Sequence, residues 1–266
     1  MIIKKLINLV KPDLEFVSKS NLINFETKNK SYKLYKEGLY RSGQAWSNNF
    51  YKENRFLNLI QCVEHVLSQK KVYSFAECGC WYGHSSYIIS SLIKNSKKKI
   101  RFNIFDSFDG LSNPTKKDSN FRKLGKKKGN FEIEKFSSSE KHLKNRVLQK
   151  FNFVNIYKGW IPTRFNEIEC KQFSFVHIDV DMYDPTFKSL EFFFPRLVKG
   201  GIIVCDDYNL KNFDGATKAW NKYLSKKKNS IYIQKPFRRI VLNKIIFLFK
   251  LVLCSVKLNH TIILQD

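Results

Sequence analysis

The chain has no Cys-x-x-Cys pair among its six cysteines, Cys62, Cys78, Cys80, Cys170, Cys205 and Cys254. Neither a zinc site of that spacing nor a paired disulfide framework is therefore encoded. Most of the six lie in apolar runs, where a thiol behaves as a small hydrophobe, so a reducing compartment is expected. Acid is scarce as well: 23 Asp and Glu stand against 48 Lys and Arg, for a net charge of +25. Lys makes up most of that excess, and its triplets at 97–99, 126–128 and 226–228 are scattered rather than gathered into one stripe. The scatter fits a bias toward Lys, Asn and Ile and argues against specific nucleic-acid recognition, which needs a compact basic surface. No stretch approaches the roughly 18 uncharged apolar residues of a spanning helix. Near Met1 the apolar run after the first lysines is four residues long, too short for a signal peptide. A cytoplasmic protein is expected. No internal repeat is visible.

What is present is 43% hydrophobic residue content with 24 Phe, enough for one sizeable α/β core. Residues 55–69 carry apolar side chains at helical spacing, and residues 12–54 are polar and aromatic, as a cap over a site would be. From Val72 strands alternate with helices: strand 72–78, helix 84–95, strand 100–106, helix 138–149, strand 153–158. This alternation predicts a doubly wound, mostly parallel seven-stranded α/β sheet, Rossmann-like, with an N-terminal helical cap. Residues 1–70 form the cap, 71–244 the main domain and 245–266 a tail. A Lys- and Gly-rich loop over 112–130 interrupts the alternation; it either orders over the substrate, offering Lys116, Lys117 and Lys126–Lys128 to a phosphate, or is merely solvated and mobile.

Residues 173–208 hold the densest chemistry. They read as strand, crossover helix and strand, the helix closed by Lys199-Gly200-Gly201 and the second strand formed by Ile202–Cys205. Phe175, His177, Asp179 and Asp181 share one parity and so one face while the strand lasts. The second strand stops at Asp206-Asp207. A right-handed βαβ unit brings both acidic ends to one edge of the sheet, where open α/β folds bind ligands. Four carboxylates crowded into one crevice repel one another, and a hard cation such as Mg²⁺ holds them together economically. Solvated loop acids or helix caps are the plainer reading.

At the first strand-to-helix turn, Gly79 and Gly83 let backbone approach a ligand closely. The turn lacks Gly-x-Gly-x-x-Gly, and Glu77 would repel a pyrophosphate, so a nicotinamide cofactor suits it poorly. A cationic ligand with an amino-acid end, such as S-adenosylmethionine, suits Glu77 better. The second strand ends in Asp106, 27 residues after Gly79, where an acid commonly accepts hydrogen bonds from ribose hydroxyls.

Taken in order, ECGCWYG, FDSFDGL, KGWIP, HIDVDMYDPT and GGIIVCDDY resemble the macrocin O-methyltransferase (TylF-like) family. Its members are class I, Mg²⁺-dependent S-adenosylmethionine enzymes that methylate sugar hydroxyls. The resemblance implies cofactor contacts from Glu77, Gly79, Asp106 and Ser107, with Gly83 beside them. It implies a metal held by Asp179, Asp206 and Asp207, and Asp181 as the base. His177, deeper in the strand, is a rival base and is better explained structurally. The chain departs from the family pattern at His84, where a second Gly is usual, and at Met182, where Leu is. The implied partner is a sugar or glycoside acceptor in surface-polysaccharide or glycosylated-metabolite synthesis. Two other readings compete: a nucleic-acid methyltransferase, and a non-catalytic binding protein on the same fold. In the tail, residues 245–258 as a helix would carry Lys250 and Lys257 on a narrow stripe of an apolar surface. Such a helix either packs on the domain or in a homo-oligomer contact, or lies at the inner face of a membrane.

Overall fold

The computed structural model describes residues 30–128, 133–210, 212–225, 232–234 and 240–243. The first helices are α1 (Lys30–Ser42) and α2 (Phe50–Ser68). Strand β1 (Ser74–Cys78) leads to α3 (His84–Ser96), and β2 (Phe102–Asp106) is followed after a loop by α4 (Ser119–Lys128). Strand β3 (Val154–Lys158), β4 (Phe173–Ile178), α5 (Tyr183–Phe193), β5 (Leu197–Cys205), α6 (Asp214–Ser225), β6 (Tyr232–Gln234) and β7 (Ile240–Asn243) complete the order. The sheet runs β3-β2-β1-β4-β5-β7-β6, five parallel strands with β7 antiparallel against β5 and β6 antiparallel against β7. The order reverses between β1 and β4, so the ligand crevice of this sheet lies at their carboxyl ends.

Strand parity divides the core in two. Phe75, Phe102, Ile104, Phe175, Ile202 and Val204 point to the side covered by α1, α2 and α3. Ala76, Cys78, Phe105, Val176, Ile178, Ile203 and Cys205 point to the side covered by α5 and α6. The strands are apolar on both faces because both are buried.

Four local expectations are corrected. Helix α2 starts at Phe50 rather than Arg55, because the Asn49 side chain accepts the Lys52 N–H and caps it. The helix expected over 138–149 is one α turn, Glu140–His142, running into a π turn, Leu143–Val147. Residues 112–130 are not all loop, since α4 occupies most of their second half. Strand β5 begins at Leu197 and passes through Gly200-Gly201 instead of starting after them. Leu197 faces Phe173 and Ile202 faces Phe175, so the extra residues bulge out, and Gly200 takes φ +74° to allow it. Residues 1–29 and the tail 245–258 lie outside the described residues. Among the described residues no helix is long and apolar enough to cross a membrane.

His84 ties the N-terminal helices to the main sheet. Its ring stacks on Phe56 of α2 at 4.0 Å between centroids, and its Nε2 donates to the Tyr35 carbonyl of α1 at 3.0 Å. Gly38 of α1 has no room for a side chain, since a Cβ there would lie 2.8 Å from the imidazole. Burial first, then the positive charge of Lys52, holds the His84 pKa down to about 3. Unfolding frees the imidazole to take a proton near its ordinary 6.5, so the unfolded state binds more protons between those values. Stability from this group is complete above about pH 6.5 and is lost as the pH falls toward 3, by on the order of 3–5 kcal/mol in all. In thermal melts the wild-type Tm should therefore fall relative to that of His84→Asn between pH 7.5 and pH 5, since the buried acids at the sheet edge act alike in both proteins. Equal slopes in both proteins would place the acid sensitivity elsewhere.

Candidate active site

The strand ends project their last backbone groups into the crevice and join it together. Gly79 N donates to Phe105 O, Asp179 N to Cys78 O and Asp206 N to Ile178 O, at 2.8, 2.8 and 2.9 Å. Gly79 adopts φ +81°, and a Cβ built on it would lie 1.9 Å from the Asp179 carbonyl oxygen, so only glycine fits. The Asp106 carboxylate shapes the turn that follows: it accepts Cys80 N and Trp81 N on one oxygen, at 2.7 and 3.1 Å, and Phe108 N on the other at 2.7 Å.

Parity also sorts the four acids. Asp206 continues the Ile202–Val204 side, toward α2, and there with Asp179 and His177 it offers ligand atoms lying within 4.8 Å of one another. Asp207 continues the opposite side and accepts the Asp181 N–H at 2.8 Å. Strand β4 has ended by then, at Ile178, so alternation no longer decides where Asp181 points. That residue sits in the left-handed region at φ +58°, an uncommon conformation for anything but Gly, Asn and Asp.

Burial and then mutual repulsion push three of these acids, Asp179, Asp181 and Asp207, up. The carboxyls of Asp179 and Asp207 lie well above their ordinary range, and Asp181, raised by burial and the charge of Asp179, reaches about 7. Carboxylate oxygens held together at such cost fit a hard divalent cation. His177 lies beneath them, completely buried. Its Nδ1 is 2.9 Å from Glu77 Oε1, its register partner on β1, and its Nε2 is 3.7 Å from Asp206 Oδ1. Burial disfavours the imidazolium, yet Asp206 and Glu77 outweigh it and lift His177 to about 9.

Two cavities open on this edge. One, of about 280 Å³, is lined by Gly79, Asp106, Ser107, Asp179, Asp181 and Asp207, with Trp160 and Phe213 among its aromatic walls. The structure thus brings six of the residues singled out in the sequence to one cavity. Glu77, Gly83, His177 and Asp206 do not line it. Glu77 is buried below, bonded to Ser86 and His177. Gly83 starts α3 at φ +83°, and a Cβ there would lie 2.3 Å from Leu143. The second cavity, of about 350 Å³, lies between the start of α2 and the 80–85 turn, and shares Arg55, Trp81, Asp179 and Leu210 with the first.

Sequence reasoning missed the basic side of the site. Arg55 reaches down from α2, its Nη1 2.6 Å from Asp206 Oδ2. Burial opposes its charge, but Asp206, and then Asp179, Asp207 and Asp181, more than restore it. Lys52 stands one turn earlier on the same helix face. The only signal was the i, i+3 spacing of two cations next to apolar Phe56, which reads equally well as a solvated stripe. By contrast, Lys117 of the 112–130 segment, expected to meet a phosphate, pairs with Asp184 at 3.3 Å and lies over Tyr183 at 4.0 Å. Asp118 next to it accepts Tyr183 N at 2.8 Å and pins that segment to α5. Lys116 does not line either cavity, and the side chains of Lys126–Lys128 lie outside the described residues.

Residues 15–247 match the family described as Macrocin-O-methyltransferase (TylF). The chain is 23% identical over 185 residues to demethyldecarbamoylnovobiocin O-methyltransferase of Streptomyces niveus, covering 65% of this chain and 68% of that one. It is 24% identical over 169 residues to 8-demethyl-8-(2,3-dimethoxy-alpha-L-rhamnosyl)-tetracenomycin-C 4'-O-methyltransferase of Streptomyces olivaceus, covering 58% and 60%. The solved structure of the O-methyltransferase NovP shares the fold, with a TM-score of 0.65 and 17% identity over 82% of this chain and 100% of that one.

Proposed function

Since the chain belongs to the macrocin O-methyltransferase (TylF) family and is an S-adenosylmethionine-dependent O-methyltransferase, we infer that it methylates a sugar hydroxyl in a Mg²⁺-dependent reaction. The observation that supports this most is a shared cavity: the glycine turn and Asp106, suited to the cofactor, and Asp179, Asp181 and Asp207 line one space. On this reading methyl donor and carboxylates would meet in that one space.

Each residue then has a task. Gly79 and Ser107 seat the cofactor against the strand ends, and Asp106 holds the 80–81 backbone that walls it in. Asp181 takes the proton from the acceptor hydroxyl, a task suited to a carboxyl that burial and Asp179 bring to about 7. His177, beneath the cleft and bonded to Glu77, orients Asp206 rather than touching the acceptor. Asp179, Asp206 and Asp207 would hold Mg²⁺, which when bound supplies Lewis-acid stabilisation to a developing alkoxide. In-line positioning of methyl and oxygen contributes the rest of the acceleration. The setting is surface-polysaccharide or glycosylated-metabolite synthesis.

The test is methyl transfer from labelled S-adenosylmethionine to a panel of nucleotide sugars, simple glycosides and RNA. Label is expected in sugar acceptors only. Label in RNA, with none in any sugar, would overturn the reading.

A further inference from the structure

We propose that the outward face built by α1, α3 and residues 140–147 docks on an anionic lipid surface. This stands apart from the sugar-methyltransferase reading, and none of the cations concerned lines either cavity.

The net charge of +25 is not spread evenly over the fold. Helix α1 packs against α3 and against the π turn, so these elements form one layer on one side of the sheet. They carry eight Lys and Arg, four on α1, one on α3 and three within 140–147, against two acids, Glu37 and Glu140. Helices α5 and α6, on the other side, carry three of each sign. Helix α2 is balanced as well, Lys52 and Arg55 standing with Glu53 and Glu64. Cations dispersed along the chain are thus gathered by the fold onto one layer.

The surplus is also unpaired. Glu37 accepts the Tyr87 hydroxyl, and Glu140 is taken by Lys144. Lys33, Lys36, Lys94, Lys141 and Arg146 are exposed and have no ion pair among the described residues. On the other side Lys188 pairs with Glu191 at 2.8 Å and Lys218 with Asp214 at 2.5 Å.

Lys33, Lys36 and Tyr40 recur at helical spacing on α1, and Tyr40 is 71% exposed. A phenol between lysines suits the headgroup level of a bilayer, where the ring meets the apolar boundary and the ammonium groups meet lipid phosphates. Nucleic acid fits this face less well. A single strand is held along a groove by successive stacking rings, whereas Tyr40 is the one large exposed ring on these elements among the described residues. A plane of anionic headgroups requires neither groove nor register. The face also borders the crevice, since α1 ends at Ser42 and the next residues include Gln44 and Ser47 of the larger cavity.

The test is flotation of the full chain with vesicles of phosphatidylcholine and phosphatidylglycerol in equal parts, against phosphatidylcholine alone. The wild type should bind the mixed vesicles only, and less as salt rises. Lys36→Glu with Arg146→Glu should weaken that binding by roughly a hundredfold or more, at about fivefold for each unit of charge changed. Lys188→Glu with Lys222→Glu alters the net charge equally on the other side and should cost less than about tenfold. Lys33→Gln with Lys94→Gln is a milder pair that should still cost about twentyfold, with an unchanged melting temperature. Equal losses in the two Glu pairs, or undiminished binding by Lys36→Glu with Arg146→Glu, would overturn the proposal. Tighter binding to poly(U) than to the vesicles at equal anionic charge, lost with the same substitutions, would replace lipid by nucleic acid. Methyl transfer to a soluble acceptor should be the same in every variant, so this proposal and the methyltransferase reading fail separately.

Discussion

Asp181→Asn is expected to lower kcat by roughly 10²–10⁴-fold, the usual loss when a general base is removed. The substitution is a clean one on structural grounds. Asn tolerates the left-handed backbone that Asp181 occupies, and its N–H still donates to Asp207. The amide keeps the size of the side chain but has no proton affinity near neutrality. Cofactor affinity should hold, because Gly79, Ser107 and Asp106 are untouched. His177→Gln is the control that separates the two candidates. It should cost stability and weaken the Asp206 side of the site, since it removes a completely buried ring between Glu77 and Asp206. If Asp181→Asn turns over normally and His177→Gln does not, the roles are reversed.

Stripping divalent metal should abolish methyl transfer while S-adenosylmethionine still binds with close to its original affinity by calorimetry. The carboxylates that would hold the ion extend from β4 and β5, whereas the cofactor turn belongs to β1 and β2. Arg55 explains why the metal-free fold should survive: its guanidinium already offsets Asp206 and acts on the other three acids from above. A metal titration followed by calorimetry should accordingly show tighter binding in Arg55→Ala than in the wild type, as a competing cation is removed. Full turnover in excess EDTA would remove Mg²⁺ from the reaction.

The sheet and its crevice were legible because they rest on short-range pattern. Apolar strands, a glycine turn after β1 and paired acids after β4 and β5 lie within a few residues of one another. The limits of that pattern show at Asp181, whose parity counted only while the strand lasted, and at Gly200-Gly201, which mark a bulge inside β5 rather than the end of a helix. What the sequence hid was pairing at long range. Arg55 and Asp206 are separated by about 150 positions, and nothing near Arg55 distinguishes an inward cation from a solvated one. Glu77 is similar: its bonds to Ser86 and His177, which lie on α3 and β4, leave no trace in the local pattern around it.

The contact between Gly79 and the Asp179 carbonyl has a mechanical meaning. The turn suited to the methyl donor and the strand end beside the acceptor touch backbone to backbone, with a side chain's thickness removed to let them do so. Hydrogen bonds from Asp179 N to Cys78 O and from Asp206 N to Ile178 O lock three neighbouring strands at the same level. If the proposed roles hold, donor and acceptor would thus be placed from one shared piece of backbone rather than from two parts that flex independently.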